Sequence, residues 1–511
     1  MKTITERAYE HFPQPSLPER EAAIEYAING LEALDPSASS RRPFVKWQVV
    51  VFIVGVALTV VGFVLDPLAA MTGLAATSIV VYLIAILSRL QVFIRGLRYN
   101  EERILPDPST LTDEELPIYT ILMPAYDEPA VIRNLVRATD AIDYPHDKLE
   151  LILLIEEDDE STLSVLLRQD LPDPVRVLLI PALGPRTKPK ACNYGLLFAK
   201  GEFVTIYDAE DIPSPEQLRL AVATFREEGE EIACLQGRLD YFNERQNLMT
   251  RWFTIEYTTW FACFLPGLDA LRMPIPLGGT SNHIRTDLLK EIGAWDPYNV
   301  TEDADLGLRL ARRGYRTGVL PSITLEEANS DAVNWVRQRS RWYKGYLQTW
   351  LVHFRNPRQA VKELGPKGAF AATMLIGLTP ILAAINLFTW TCTIMFIIGV
   401  PPAAAQIFPS WVVLVGLATF LFGNLAVIYI SILATTQAGK GRLAWACLVY
   451  PLYWLLMALA ATKAVYQLIA KPSYWEKTAH GLTDEFDEEE ISHQEKIEAS
   501  KKSHSFPIGD A

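Results

Sequence analysis

The chain has little of what nucleotide hydrolases, nucleic-acid binders and zinc proteins are built on. It contains no glycine-rich Walker loop, so hydrolysis of a nucleoside triphosphate finds no support. Lysine and arginine number 47 against 60 acidic residues, a net charge of -13; that shortage of positive charge argues against a nucleic-acid partner, which needs a basic face. Part of the excess is local, in the acidic run Asp484 to Glu490 of a tail that reads as disordered. The five cysteines, at 192, 234, 263, 392 and 447, show no metal-ligand spacing, so reduced structural thiols are the reading, and His480 has no partner histidine at ligand spacing. A polar, charged stretch of about 45 residues precedes the first apolar run, against the pattern of a secretory signal peptide.

Long apolar runs are abundant. Trp47 to Leu65 and Gly73 to Ile94 are each long enough to cross about 30 Å of hydrocarbon. Arg41, Arg42 and Lys46 precede this hairpin and Arg95, Arg98 and Arg103 follow it, whereas the connecting DPLAAMTG has no positive charge, so both flanks belong in the cytoplasm. Apolar runs return at Met374 to Ile398, Trp411 to Leu433 and Leu443 to Ile469: three crossings if counted singly, with Pro380 and Pro451 leaving a re-entrant or interfacial pair open. Pro18 to Leu34 carries an imperfect apolar stripe that suits either the membrane or a soluble domain. The resulting division is a cytoplasmic segment 1–46, a membrane hairpin 47–95, a soluble domain 110–345, an interfacial amphipathic helix 346–368, membrane helices 369–470 and a tail 471–511.

Within the soluble stretch, PIYTILMPA, LELILLIEE, VRVLLIPA and GEFVTIYDAED alternate with helical patterns, including helices from Glu128 and from Ser161. This predicts a parallel α/β sheet with ligands at the carboxyl ends of its strands. Three such ends carry acids: Asp127 and Glu128; Glu156, Glu157, Asp158 and Asp159; and Asp208, Glu210 and Asp211. Acids also serve as turn and cap residues, but three clusters together with Thr301-Glu302-Asp303 favour a hard divalent cation held against a diphosphate. Lys188 or Lys190, in Arg186-Thr187-Lys188-Pro189-Lys190, would neutralise that diphosphate as it leaves; a solvated loop before a helix is the plainer alternative. QRSRW at Gln338 to Trp342 sets amide and guanidinium donors beside an aromatic plane, which suits a sugar ring.

PAYDEP at Pro124 to Pro129, EEDD at Glu156 to Asp159, KPKACN at Lys188 to Asn193, DAED at Asp208 to Asp211, TED at Thr301 to Asp303 and QRSRW, in this order, resemble the processive family-2 glycosyltransferases of the inverting GT-A fold, the group of the cellulose, hyaluronan and poly-N-acetylglucosamine synthases. The resemblance implies a GT-A α/β cytoplasmic domain inserted between transmembrane helices of a bacterial inner membrane. It also implies a UDP-sugar donor carrying glucose or N-acetylglucosamine, a polysaccharide acceptor, and Mg2+ or Mn2+. It leaves room for accessory export proteins.

Residue by residue, the resemblance implies that Tyr126 and Glu128 line the nucleotide pocket, with Glu157 and Asp158 holding uracil or ribose and Lys188, Lys190 and Arg341 near the diphosphate. Asp208 and Glu210 fall on the DxD positions; glutamate stands where the family has its second aspartate, so Asp211 shares or takes over the metal. Asp303 would be the general base, and Glu302, Gln338 and Trp342 would hold the acceptor, with Gly278 to Asn282 beside it. WEKTAHG at Trp475 to Gly481 resembles a C-terminal motif of bacterial members. Two rivals stand beside the processive synthase: a transferase that adds one sugar to a lipid carrier, and a catalytically silent glycan-sensing scaffold, against which the intact set Asp208, Asp303, Arg341 and Trp342 argues.

Overall fold

The computed structural model describes residues 2–129, 141–171, 174–208, 210–398 and 409–471. The helix expected from Glu128 and the motif at Trp475 to Gly481 fall largely or wholly outside the described residues.

The four expected strands form where continuous Val, Ile and Leu runs predict them: β1 (Tyr119–Ala125), β2 (Leu149–Glu156), β3 (Val175–Ile180) and β4 (Phe203–Ile206). They pair in parallel in the order β3-β2-β1-β4, with Tyr119 opposite both Leu149 and Phe203. Both faces of this half are covered, which is why its strands are apolar throughout rather than alternating. Leu122, Ile152, Leu154, Leu178 and Ile206 pack into one core and Ile121, Met123, Leu153, Ile155 and Leu179 into another, as the two-residue period of a strand requires.

The second half of the sheet differs from the parallel expectation. β7 (Asn282–Arg285) runs antiparallel to both β4 and β6 (Ile232–Tyr241), β8 (Arg316–Glu326) lies parallel to β6, and β5 (Ile212–Pro213) closes the edge, so the sheet is mixed.

The N-terminal helix Leu17–Leu34 packs on the α/β domain. Ala23, Ile24, Ala27 and Leu31 are buried against it, and Asn193 Nδ2 donates to the Ala27 carbonyl at 3.3 Å. Ahead of this helix, Gln14 pairs with the open edge of β3, donating to the Val177 carbonyl (3.0 Å) and accepting from the Leu179 N–H (2.9 Å), which protects an otherwise unpaired strand.

Five helices among the described residues are long and apolar enough to cross a membrane: Lys46–Leu65, Pro67–Glu102, Pro357–Thr391, Ser410–Gln437 and Tyr450–Ala470. Val50, Phe52, Val60 and Leu65 of the first are exposed, as lipid-facing residues would be. Gly96 permits the second to lie directly on the turn at Cys263, where any Cβ would overlap the Cys263 carbonyl. Pro451 sits in the first turn of its helix, a position that lacks an intrahelical N–H partner in any case, so it starts that span rather than breaking it. The stretch expected as one interfacial helix, 346–368, is divided: its first part continues the helix Ala332–His353, and the next helix bends at Gly365 (φ 68°) before Pro366.

Candidate active site

The carboxyl ends of β1, β2 and β4 open into a cavity of about 1390 Å³ that continues between the long apolar helices. The turn after β1 brings Tyr126 and Glu128 to its wall. Asp127 adopts φ 58°, tolerated by a short polar side chain, and its N–H donates to Asp159 Oδ2 at 2.7 Å; the Glu128 N–H donates to Thr162 Oγ1 at 3.1 Å. Asp159 also caps the helix Glu160–Leu166, so one carboxylate fixes both the turn and the helix start.

The acids after β2 divide into separate tasks. Glu156 is buried in an ion pair with the fully buried Lys190 at 2.6 Å, and burial pushes its carboxyl upward. Glu157 accepts from Tyr9 Oη (2.7 Å) and the Ala182 N–H (2.9 Å), tying the N-terminal segment to the domain. Asp158 pairs with Arg186, whose guanidinium reaches Tyr126 Oη at 3.3 Å. Glu157, Asp158 and Lys190 are thereby engaged with partners of their own, and of the two candidate lysines it is Lys188 that lines the cavity.

Lys188 opens the helix Lys188–Leu196, and its Nζ donates to Asp208 Oδ1 and to the Gly279 carbonyl (2.9 Å). Burial opposes the ammonium charge, but the Asp208 carboxylate outweighs it and holds the Lys188 pKa above its ordinary value. Asp211 turns back on its own loop: Oδ2 accepts from the Asp208 N–H (2.7 Å) and from Thr280 Oγ1, while the buried Oδ1 has no hydrogen-bond partner among the described residues. Burial, then Asp208, pushes Asp211 well upward, and burial followed by Asp211 does the same to Glu326 at the end of β8. Among the described residues no three such side chains form a ready cage for an ion. The donor set nevertheless fits a hard cation, because Asp208, Glu210, Asp211 and Glu326 line one wall with Lys188 as their compensating charge, and among the described residues nothing bonds the buried Oδ1 of Asp211.

Glu302 and Asp303 begin the helix Glu302–Arg312. Asp303 Oδ1 accepts from the Ala304 N–H at 2.7 Å, and burial pushes its pKa to about 6; burial, then the Asp303 charge, pushes Glu302 to about 8. Gly279 faces both ends of the chemistry: a Cβ there would stand 3.6 Å from Asp303 Oδ2 and 3.9 Å from Lys188 Nζ, so its missing side chain leaves free the space between them. Behind the helix, buried Asp305 accepts from Arg309 Nε (2.7 Å) and lies 2.9 Å from His353 Nε2, which locks it to the helix Ala332–His353. At Gly345 a Cβ would overlap Thr301, so glycine lets the two helices touch.

QRSRW occupies the middle of Ala332–His353. Gln338, Arg341 and Trp342 reach the cavity at the i, i+3, i+4 spacing of one helical face, and the Arg341 charge acts on both Glu302 and Asp303. Arg339 instead forms a bidentate pair with Glu256 (2.7 and 2.6 Å), which also accepts from Tyr453 Oη (2.6 Å). Its guanidinium lies 4.6 Å from the Trp342 ring and 5.0 Å from Trp335. Glu256, Arg339 and Tyr453 thus connect the Trp342 ring to the last apolar helix, Tyr450–Ala470; the sequence reading missed them, along with Glu326 and Arg89. Glu326 carries the strand-end signal, and Arg89 is an arginine inside an apolar run.

The structure brings Tyr126, Glu128, Lys188, Asp208, Glu210, Asp211, Glu302, Asp303, Gln338, Arg341 and Trp342 around one cavity. Residues 117–345 match the family described as "Glycosyltransferase like family 2". The "Probable glycosyltransferase YdaM" of Bacillus subtilis is 28% identical over 236 residues, 45% of this chain and 56% of its own length. The "Beta-monoglucosyldiacylglycerol synthase" of Trichormus variabilis is 27% identical over 298 residues, 56% of this chain and 59% of its own. Among solved structures, the mannosyltransferase PcManGT from Pyrobaculum calidifontis, in complex with GDP-Man and Mn2+, aligns with a TM-score of 0.49 and 20% identity over 74% of this chain and 99% of that one. This chain spans about half the length of the curated relatives it matches. Residues 117–345 are thus similar to the glycosyltransferase-like family 2 model, and they fold as an α/β domain on a mixed sheet.

Proposed function

We propose that the chain is a metal-dependent, inverting glycosyltransferase of the plasma membrane. In this reading it moves glucose or N-acetylglucosamine from a UDP-sugar to an acceptor presented from the membrane, with the catalytic domain in the cytoplasm. The observation that carries the reading is one cavity that holds Lys188, Asp208, Asp303, Arg341 and Trp342 and runs on between the membrane helices to Asn424.

Asp303 takes the proton of the acceptor hydroxyl as the acceptor oxygen bonds to the anomeric carbon and the bond from that carbon to the diphosphate breaks. Attack from the face opposite the diphosphate inverts the anomeric centre. Lys188 and Arg341 offset the charge of the departing nucleoside diphosphate. Tyr126 and Glu128 border the nucleotide, and Gln338 and Trp342 hold the acceptor sugar or headgroup. Asp208 and Glu210, with Asp211 behind them, would hold a divalent cation; when bound, it supplies positive charge to the diphosphate.

Two acceptors fit this chemistry. A lipid that receives one sugar is favoured by the similarity to beta-monoglucosyldiacylglycerol synthases. A growing polysaccharide passed outward through the helices is favoured by QRSRW and by polar Asn386, Asn424 and Ser431 along the membrane part of the cavity. Sizing the labelled product made by reconstituted protein decides between them: a single-sugar lipid supports the first, a long chain the second, and a soluble monosaccharide as the sole product counts against both.

A further inference from the structure

We propose that Arg89 holds the phosphate of a lipid headgroup in the membrane arm of the cavity. Arg89 lies ~33 Å along the helix Pro67–Glu102 from Pro67, at about 1.5 Å per residue, which is the thickness of the hydrocarbon layer. With the DPLAAMTG turn outside, that depth is the level of the inner-leaflet phosphates.

The side chain lines the cavity. Its hydrogen bond among the described residues goes to neutral Thr379 Oγ1 at 2.8 Å, and it forms no ion pair among them. The carboxylate sharing that wall, Glu256, is committed to Arg339 on both oxygens and to Tyr453 on one. A guanidinium facing a cavity at this depth, bonded to a neutral hydroxyl and sharing its wall with a carboxylate already committed to Arg339, favours an anion, and its planar fork matches phosphate oxygens. The lining of the same cavity is amphiphilic, with Asn386 and Asn424 as well as Ile86 and Met457, as a headgroup joined to acyl chains requires. The cavity, about 1390 Å³, exceeds the ~300–1,000 Å³ of a pocket for one small ligand, leaving room beyond a nucleotide sugar.

A resident lipid and a lipid acceptor present the same phosphate; only the acceptor role rests on the function proposed above. The test is native mass spectrometry of the full-length protein in detergent with dioleoyl phosphatidylglycerol or dioleoylglycerol. Wild type is expected to retain phosphatidylglycerol about ten-fold over dioleoylglycerol, and Arg89→Gln to lose that preference while Arg89→Lys keeps most of it, the worth of one charged hydrogen bond. Equal retention of the two lipids by wild type overturns the proposal without any variant, as does displacement of the lipid by millimolar inorganic phosphate or an equal loss of UDP binding in Arg89→Gln. Adding UDP-glucose or UDP-N-acetylglucosamine with Mn2+ then separates the sources. Phosphatidylglycerol retained without added sugar mass upholds the phosphate site and counts against this lipid as acceptor, so the two readings fail independently.

Discussion

Replacing Asp303 with asparagine should remove the reaction and strengthen the fold together. Burial lifts the Asp303 pKa from its ordinary 3.8 to about 6, so its ionised form is disfavoured in the folded protein. At 1.36 kcal/mol per unit, a shift of this size opposes folding by about 3 kcal/mol once the group is ionised. The direction follows from linkage: a carboxyl with a raised folded pKa is harmless below its unfolded value, and stability falls as pH rises through about 6. Asparagine keeps the Oδ1 that accepts from the Ala304 N–H, carries no charge, and relieves the charge acting on Glu302. Thermal unfolding in detergent should therefore give a Tm higher than wild type by about 5 °C near pH 8, with the difference vanishing near pH 4. Transfer should fall by about 10²–10⁴-fold, the usual worth of a general base. A Tm difference independent of pH, or unchanged turnover, would refute the reasoning.

Further outcomes follow from the same geometry. Transfer by wild type should rise with pH through about 6 as Asp303 loses its proton, checked by a kcat profile at saturating donor. Lys188→Ala should raise the donor KM about ten-fold or more while the protein still folds, whereas Lys190→Ala leaves buried Glu156 without its partner and should lower stability by about 3–5 kcal/mol, seen as loss of folded protein on size exclusion. Tyr453→Phe removes one hydrogen bond to Glu256, worth about 1 kcal/mol, and should raise the acceptor KM about five-fold with the donor KM unchanged. A matching rise in the donor KM would show that this cluster does not act through Trp342.

The parallel half of the sheet was legible because its strands are apolar on both faces and end in acids. The antiparallel part was hidden: β6 and β7 carry buried Gln236, Asp240 and His283, whose partners Thr280, Lys440 and Tyr119 come from distant segments, and buried Asn282, so no apolar run marks them. The DAED and TED motifs indicated which residues would meet, since strand and helix ends fix their place. EEDD shows the limit: adjacent residues point in different directions, and only tertiary contacts send Glu156 to Lys190, Glu157 to Tyr9 and Asp158 to Arg186. The bond from the Asp208 N–H to Asp211 was hidden for the same reason, because it depends on the closed loop. Arg89 escaped notice because its neighbours are apolar; the membrane arm becomes visible only when the helices are assembled.

The most direct measurement is incorporation of radiolabel from UDP-glucose, UDP-N-acetylglucosamine and related donors by liposome-reconstituted protein with Mg2+ or Mn2+, run beside Asp303→Asn and Asp208→Ala, with UDP binding followed by calorimetry in the same preparations. The expected result is metal-dependent incorporation from one donor by wild type, none by either variant, and UDP binding retained by Asp303→Asn. Incorporation by Asp303→Asn at the wild-type rate, or none by wild type from any donor despite bound UDP, would contradict the account.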